Sequence, residues 1–234
     1  MFQPNDRIPR APLEPAPWEL QGSAWIVALR LPAGSAARDA FMPAALAGQG
    51  RGPVSLLMYV DYATSGCGPY QELLFIPGTF PFEDGRRHFT ISRIVVSTWS
   101  SVVDGRANWG IPKDRAEFDV QPNPDDPREA RIRVLADDGR EMCALRLAES
   151  SFAPRLPVPG ALVPETLRTL AQRFDGRTYY YAPASSGWLR PGRLLEWRFD
   201  PDLFPDLRAA NVLATFRILS FRMRFPVARV VDRE

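Results

Sequence analysis

The sequence is poor in lysine, histidine and cysteine. Of its 29 basic side chains only Lys113 is a lysine; the rest are arginine. His88 is the one histidine, and Cys67 and Cys143 are the two cysteines. So few thiolate and imidazole ligands exclude a zinc cluster, an iron–sulfur ligand set, a His-rich metal site and a disulfide framework. Long apolar runs are missing too. No stretch approaches the roughly 18–20 apolar residues of a membrane-crossing helix. Residues 1–7 lack the apolar core of a signal peptide. The expected location is the cytoplasm, where both thiols stay free. Charge of one sign is not in excess either. Against the 29 basic groups stand 27 carboxylates, a net charge of +2, which argues against a nucleic-acid partner. Glycine-rich phosphate loops and internal repeats are absent.

What is present reads as a turn-rich β protein. The 234 residues are 45% hydrophobic and include 24 prolines and 16 glycines. Residues 1–14 form an extended lead-in to a single domain spanning 1–234, with four prolines between Pro9 and Pro17. Strands are expected over Ala24–Leu31, Val54–Tyr62, Gln71–Pro77 and His88–Val96. Ala130–Ala136 and Arg140–Leu147 read as a hairpin across Asp137-Asp138-Gly139. Trp197–Phe199 and Leu219–Val231 complete the series. In the last, Phe221, Met223 and Phe225 alternate with Arg222 and Arg224, the period of a strand with one buried face. Helical spacing is scarce. Leu167, Leu170, Ala171 and Phe174 suggest a helix over Pro164–Phe174, and Ala36–Leu46 a weaker one broken by Pro43. The fold class expected is α+β, mostly antiparallel, with a closed or conical sheet and a few short helices.

The lone lysine has two explanations. Arginine-favouring coding bias would leave a last lysine anywhere. Alternatively, arginine can replace lysine's charge but not its primary amine. Lys113 follows Trp109-Gly110-Ile111-Pro112, where Pro112 fixes φ. Val102, Val103, Trp109 and Ile111 lie close in sequence. An amine held among such side chains is desolvated, which disfavours the ammonium and suits attack on a carbonyl.

Several segments in order resemble the acetoacetate decarboxylase-like superfamily. They are Pro17-Trp18-Glu19-Leu20-Gln21-Gly22, Gly68-Pro69-Tyr70-Gln71-Glu72, Gly105-Arg106 followed by Trp109 to Lys113, and the Phe221–Val231 run with Pro226. The similarity spans roughly residues 15 to 232 and is strong at the two short motifs. It implies a closed or conical β fold and a Schiff-base lyase without a cofactor. Lys113 would form an imine with a keto acid or aldehyde, and Glu72 would move protons or orient substrate. Arg106, Tyr70 and Trp109 would contact substrate, Arg106 by gripping a carboxylate. The family's habit implies a homo-oligomer.

The chain also departs from the family pattern. Where the family has a second lysine, which lowers the pKa of the first, this chain has Asp114. A carboxylate beside the amine would favour its charged form, and the sequence leaves open which way Asp114 faces. Arg115 is an alternative source of positive charge. Gly22 or Ser23 stands for an arginine, Leu57 for a second acid and Ala107 for a glutamate. Two chemistries follow, aldolase-dehydratase and decarboxylase, with the first preferred. A third reading is a small-molecule binding domain without turnover. His88 and Cys67 carry no signature of their own. Tyr179, Tyr180 and Tyr181 read as core or interface aromatics.

Overall fold

A computed structural model describes residues 8–9, 11–151, 153–160 and 164–232. In chain order the strands are β1 (Trp18–Arg30), β2 (Ser55–Thr64), β3 (Tyr70–Ile76), β4 (Thr79–Pro81), β5 (Arg87–Phe89), β6 (Arg93–Val96), β7 (Asp114–Arg115) and β8 (Glu117–Pro122). There follow β9 (Glu129–Leu135), β10 (Glu141–Glu149), β11 (Leu156–Pro159), β12 (Leu170–Phe174), β13 (Arg177–Tyr181), β14 (Ala184–Phe199), β15 (Asn211–Phe225) and β16 (Arg229–Asp232). Helix α1 spans Trp99–Trp109 and α2 spans Glu165–Arg168. Neither is long and apolar enough to cross a membrane, nor is any other helix of the described residues.

An 11-stranded sheet runs β7-β6-β3-β2-β1-β15-β14-β10-β9-β8, with β11 also on β14. Its two ends are neighbours in sequence, since only Ala116 separates β7 from β8. The sheet therefore curls almost into a barrel, as the composition led us to expect. Its enclosed face carries Trp25, Val27, Leu57, Tyr59, Leu73 and Phe75, which pack with Ile132, Val134 and Leu145 from near the other end of the order. A second sheet, β16-β13-β12-β5-β4, lies with α1 over the opposite face.

Because side chains alternate along a strand, each strand of the curled sheet serves two cores. On β2, Leu57 and Tyr59 enter the enclosed core, while Val60 and Tyr62 join the other. Strands buried on both sides read as continuous apolar runs. The Asp-Gly hairpin forms as expected, with the Gly139 N–H donating to Ala136 and φ of 83° at Gly139. On β15, Phe221, Met223 and Phe225 face inward while Arg222 and Arg224 are exposed.

Four expectations are corrected. Pro164–Phe174 is a helix only over the four residues of α2; Thr169 is extended, and Leu170–Phe174 becomes β12, paired along its length with β13. Sheet pairing outweighs four apolar residues at helical spacing. Ala36–Leu46 forms only a three-residue 3-10 turn, Ala36–Arg38. His88–Val96 divides between β5 and β6, which belong to different sheets. Leu219–Val231 breaks after Phe225, because Pro226 cannot continue the ladder, and resumes as β16 in the second sheet.

Helix α1 has no apolar periodicity to betray it, since its buried face includes Ser101, Asp104, Gly105 and Arg106. Its ends carry the expected chemistry. The Thr98 hydroxyl accepts from the Ser101 N–H at 3.3 Å, and Gly110 closes the helix at φ of 60°. A Cβ at Gly110 would also lie 2.3 Å from the Tyr179 ring.

Candidate active site

Three elements converge on one cavity. Strand β3 presents Tyr70 and Glu72 on the same face, two residues apart. Strand β2 pairs with it so that Tyr62 stands opposite Tyr70 and Val60 opposite Glu72. Helix α1 ends in a turn in which the Gly110 N–H donates to Arg106 and the Ile111 N–H to Gly105. The chain reverses there, and the Lys113 side chain runs back against the helix. It passes over Gly105, where a Cβ would lie 2.6 Å from Lys113 Cδ and 2.8 Å from Cε. Only glycine leaves that path open.

The amine arrives among three oxygen acceptors. Lys113 Nζ is 2.8 Å from Glu72 Oε2, 3.0 Å from Ser101 Oγ and 3.4 Å from the Tyr70 hydroxyl. These match the three N–H donors of an ammonium. The amine also stands 4.9 Å from the centre of the Tyr70 ring. The other Glu72 oxygen accepts from the Tyr62 hydroxyl at 3.2 Å. Lys113 and Glu72 are 4% and 5% exposed, so the pair is shielded from solvent screening. Burial first, and the Glu72 charge second, push the Tyr62 and Tyr70 phenols well above their ordinary values. Both are therefore neutral hydrogen-bond donors at physiological pH.

Asp114 faces away from the amine, because consecutive residues of an extended chain point to opposite sides. Its carboxylate is bound by Arg93 Nη1 and, at 2.9 Å, by Arg106 Nη2. Arg106 is thus occupied elsewhere than in substrate binding: its Nε also donates to the Lys113 carbonyl at 3.0 Å, and it does not line the cavity. Burial draws its guanidinium below the ordinary value, while Asp114 opposes that shift. Arg115 pairs with Asp137 and Glu117 at the surface, not with Lys113.

The cavity encloses about 250 Å³. Tyr70 and Trp109, expected to contact substrate, both line it. Trp109 is held as a wall: its indole N–H donates to the Pro226 carbonyl at 2.7 Å, and its ring meets Trp18 and Phe225 edge-on. Leu57, in place of the family's second acid, points into the enclosed core; the lining positions of that strand are Met58, Val60 and Tyr62. Cys67 packs beside the site without lining it, and burial raises its thiol. His88 lies with Asp84, 2.7 Å away, outside the cavity. Among the described residues no group of three His, Cys, Asp or Glu is placed to hold a metal ion.

Sequence reasoning missed Tyr62 and Ser101. Pairing the two strands across the Thr64–Pro69 loop as a hairpin would have set Tyr62 beside Tyr70. Ser101 needed α1, which had no apolar signal. Asp104, also on α1, is fully buried, and its Oδ1 accepts the Glu14 N–H at 2.9 Å. Asn108 accepts the Ala16 N–H and donates to the Glu14 carbonyl, so the lead-in is strapped along α1.

The geometry can be set beside that of known proteins. No protein-family profile matches the chain, and no curated protein matches it by sequence. Solved structures do match. An acetoacetate decarboxylase from Legionella pneumophila superposes with a TM-score of 0.66 over 97% of this chain and 92% of its own, at 12% identity. The chain has the acetoacetate decarboxylase-like fold. An acetoacetate decarboxylase-like enzyme from Sphingomonas wittichii RW1 shares it at TM-score 0.68, covering 95% of each chain at 16% identity. So does the enduracididine biosynthesis enzyme MppR, at TM-score 0.63 and 17% identity over 94% of this chain and 91% of its own. The MppR structure holds the condensation product of pyruvate and imidazole 4-carboxaldehyde.

Proposed function

We propose that this chain is an imine-forming lyase that acts on a small keto acid or aldehyde through Lys113, without a cofactor. One observation carries the reading: the only lysine places its amine 2.8 Å from the buried Glu72 carboxylate, in a cavity of small-molecule size. Glu72 is placed to take a proton from the ammonium. The neutral amine then attacks the carbonyl carbon, and the carbinolamine loses water to give a protonated imine. That imine withdraws electrons from a bond at the adjacent carbon, and Glu72, supported by Tyr62, delivers or removes the proton there. Tyr70 and Ser101 hold the nitrogen in place, and Trp109 walls the cavity. The aldolase-dehydratase type is preferred over the decarboxylase type, and the working form is a homo-oligomer.

A second reading, ligand binding without turnover, draws support from the direct Lys113–Glu72 ion pair in a largely apolar cavity. Trapping separates the two. Borohydride reduction in the presence of pyruvate or acetoacetate should add one substrate, less one oxygen atom, to the intact mass. Lys113→Arg should abolish that adduct and leave only the slower product of the N-terminal amine. No adduct with any short keto acid, aldehyde or methyl ketone would falsify the imine reading.

A further inference from the structure

We infer that the preferred substrate is a ketone or aldehyde with an apolar tail and no carboxylate. The inference rests on the imine reading and concerns what else the cavity can bind. Among the described residues, Lys113 and Glu72 are the only charged ones in its lining. A substrate carboxylate beside the imine would meet no guanidinium there, since Arg106 is turned onto Asp114. It would instead approach the Glu72 carboxylate, and like charges repel strongly at low dielectric. The lining hydroxyls, those of Tyr62, Tyr70, Tyr181, Ser185 and Ser186, are neutral.

The rest of the wall is aliphatic or aromatic. Leu20, Ile26, Val60, Ile94 and Met223 form much of it, supplied by β1, β2, β6 and β15. An apolar cavity of ~150 Å³ accommodates benzene. By that scale 250 Å³ suits about ten heavy atoms. A short keto acid would leave much of the wall without contacts. Val158, Ser186, Gly187 and Phe221 line both this cavity and an adjoining groove that includes Trp188, which is 50% exposed.

A series of methyl ketones tests this, because the reacting group stays constant while the tail grows. Butanone, hexanone, octanone and pyruvate would be titrated against the full-length protein. Adduct yield after borohydride and the ligand-induced shift in melting temperature would both be read. The half-saturating concentration should fall by about threefold per methylene until the cavity is full. It should lie at least tenfold (~) lower for octanone than for pyruvate. Ala24→Leu, which narrows the cavity, should weaken octanone about tenfold and butanone little. Adducts that form with no dependence on tail length, or best with pyruvate, overturn the inference and leave the imine reading standing. Tail-dependent melting shifts without any adduct support the apolar cavity and overturn the imine reading. No shift and no adduct overturn both.

Discussion

Lys113 and Glu72 would each be costly to bury alone, and together they offset much of that cost through a direct ion pair. Glu72→Gln should therefore have two effects. The melting temperature should fall, since removing one partner of a buried pair costs roughly 3–5 kcal/mol. Lys113 trapping per folded molecule should slow by about 10²-fold, the contribution of a positioned base. An unchanged trapping rate with a lowered melting temperature would mean that Glu72 is structural only. Asp114→Asn separates stability from chemistry in the opposite sense. It leaves Arg93 and Arg106 buried without their shared carboxylate, a loss of about 3 kcal/mol or more measured by denaturant unfolding. Trapping at Lys113 should stay within a few-fold (~), because Asp114 faces the arginines and not the amine. Most of this residue-level site was legible in the sequence, since Lys113, Glu72, Tyr70 and Trp109 belong to short motifs. The direction of Asp114 was not, because it depends on where β6 places Arg93.

Among the elements, α1 positions Lys113 through Ser101 and Gly105 and was least visible beforehand. Its inward face is polar because it holds a lysine, a strapped N-terminal segment and an ion-pair network instead of a greasy core. Gly105 shows the trade. An alanine there should raise helix propensity by about 1 kcal/mol, yet its Cβ would occupy the path of the Lys113 side chain. Gly105→Ala should therefore fold normally by circular dichroism and lose most Lys113 trapping, as the flexible side chain yields and the amine leaves Glu72. Wild-type trapping in that variant would show that the lysine has another route to the cavity. The strands were easier to read than the helices. Leu170–Phe174 has a helical spacing of apolar residues but pairs with β13 across the Asp175-Gly176 turn, both residues at positive φ, and that Asp-Gly hairpin signal outweighs the spacing.

For the whole molecule, the scarcity of lysine shapes the response to alkali. Five of the six tyrosines, Tyr59, Tyr62, Tyr70, Tyr180 and Tyr181, titrate above their ordinary value, with burial the first cause in each. In the unfolded chain these phenols ionise near about 10. Above that pH the unfolded state releases protons that the native state retains. The phenol contribution is therefore full below about pH 10 and falls as the pH rises toward the raised native values. Scanning calorimetry should show a melting temperature that falls gently above about pH 8.5, where the thiols of the unfolded chain ionise, and steeply beyond about 10. Arginine does not titrate in this window and there is one lysine, so the decline reports the tyrosines together with the thiols of Cys67 and Cys143, which burial also raises. A melting temperature held to about pH 11 would contradict their burial.

The sequence by itself determined the class of fold and the chemistry available. Alternating apolar residues require buried strands, and one primary amine among 29 basic side chains leaves one candidate nucleophile. Only the tertiary structure decided what surrounds that amine. The curl of the large sheet, the reversal after α1 and the absence of a side chain at Gly105 bring Lys113 to Glu72, 41 positions away in the chain (113 − 72). They also turn Arg106 and Asp114 onto each other and leave an apolar wall where a guanidinium was expected. Local patterns specify which face a residue occupies; which residues share that face follows from strand order and register, and those are properties of the whole chain.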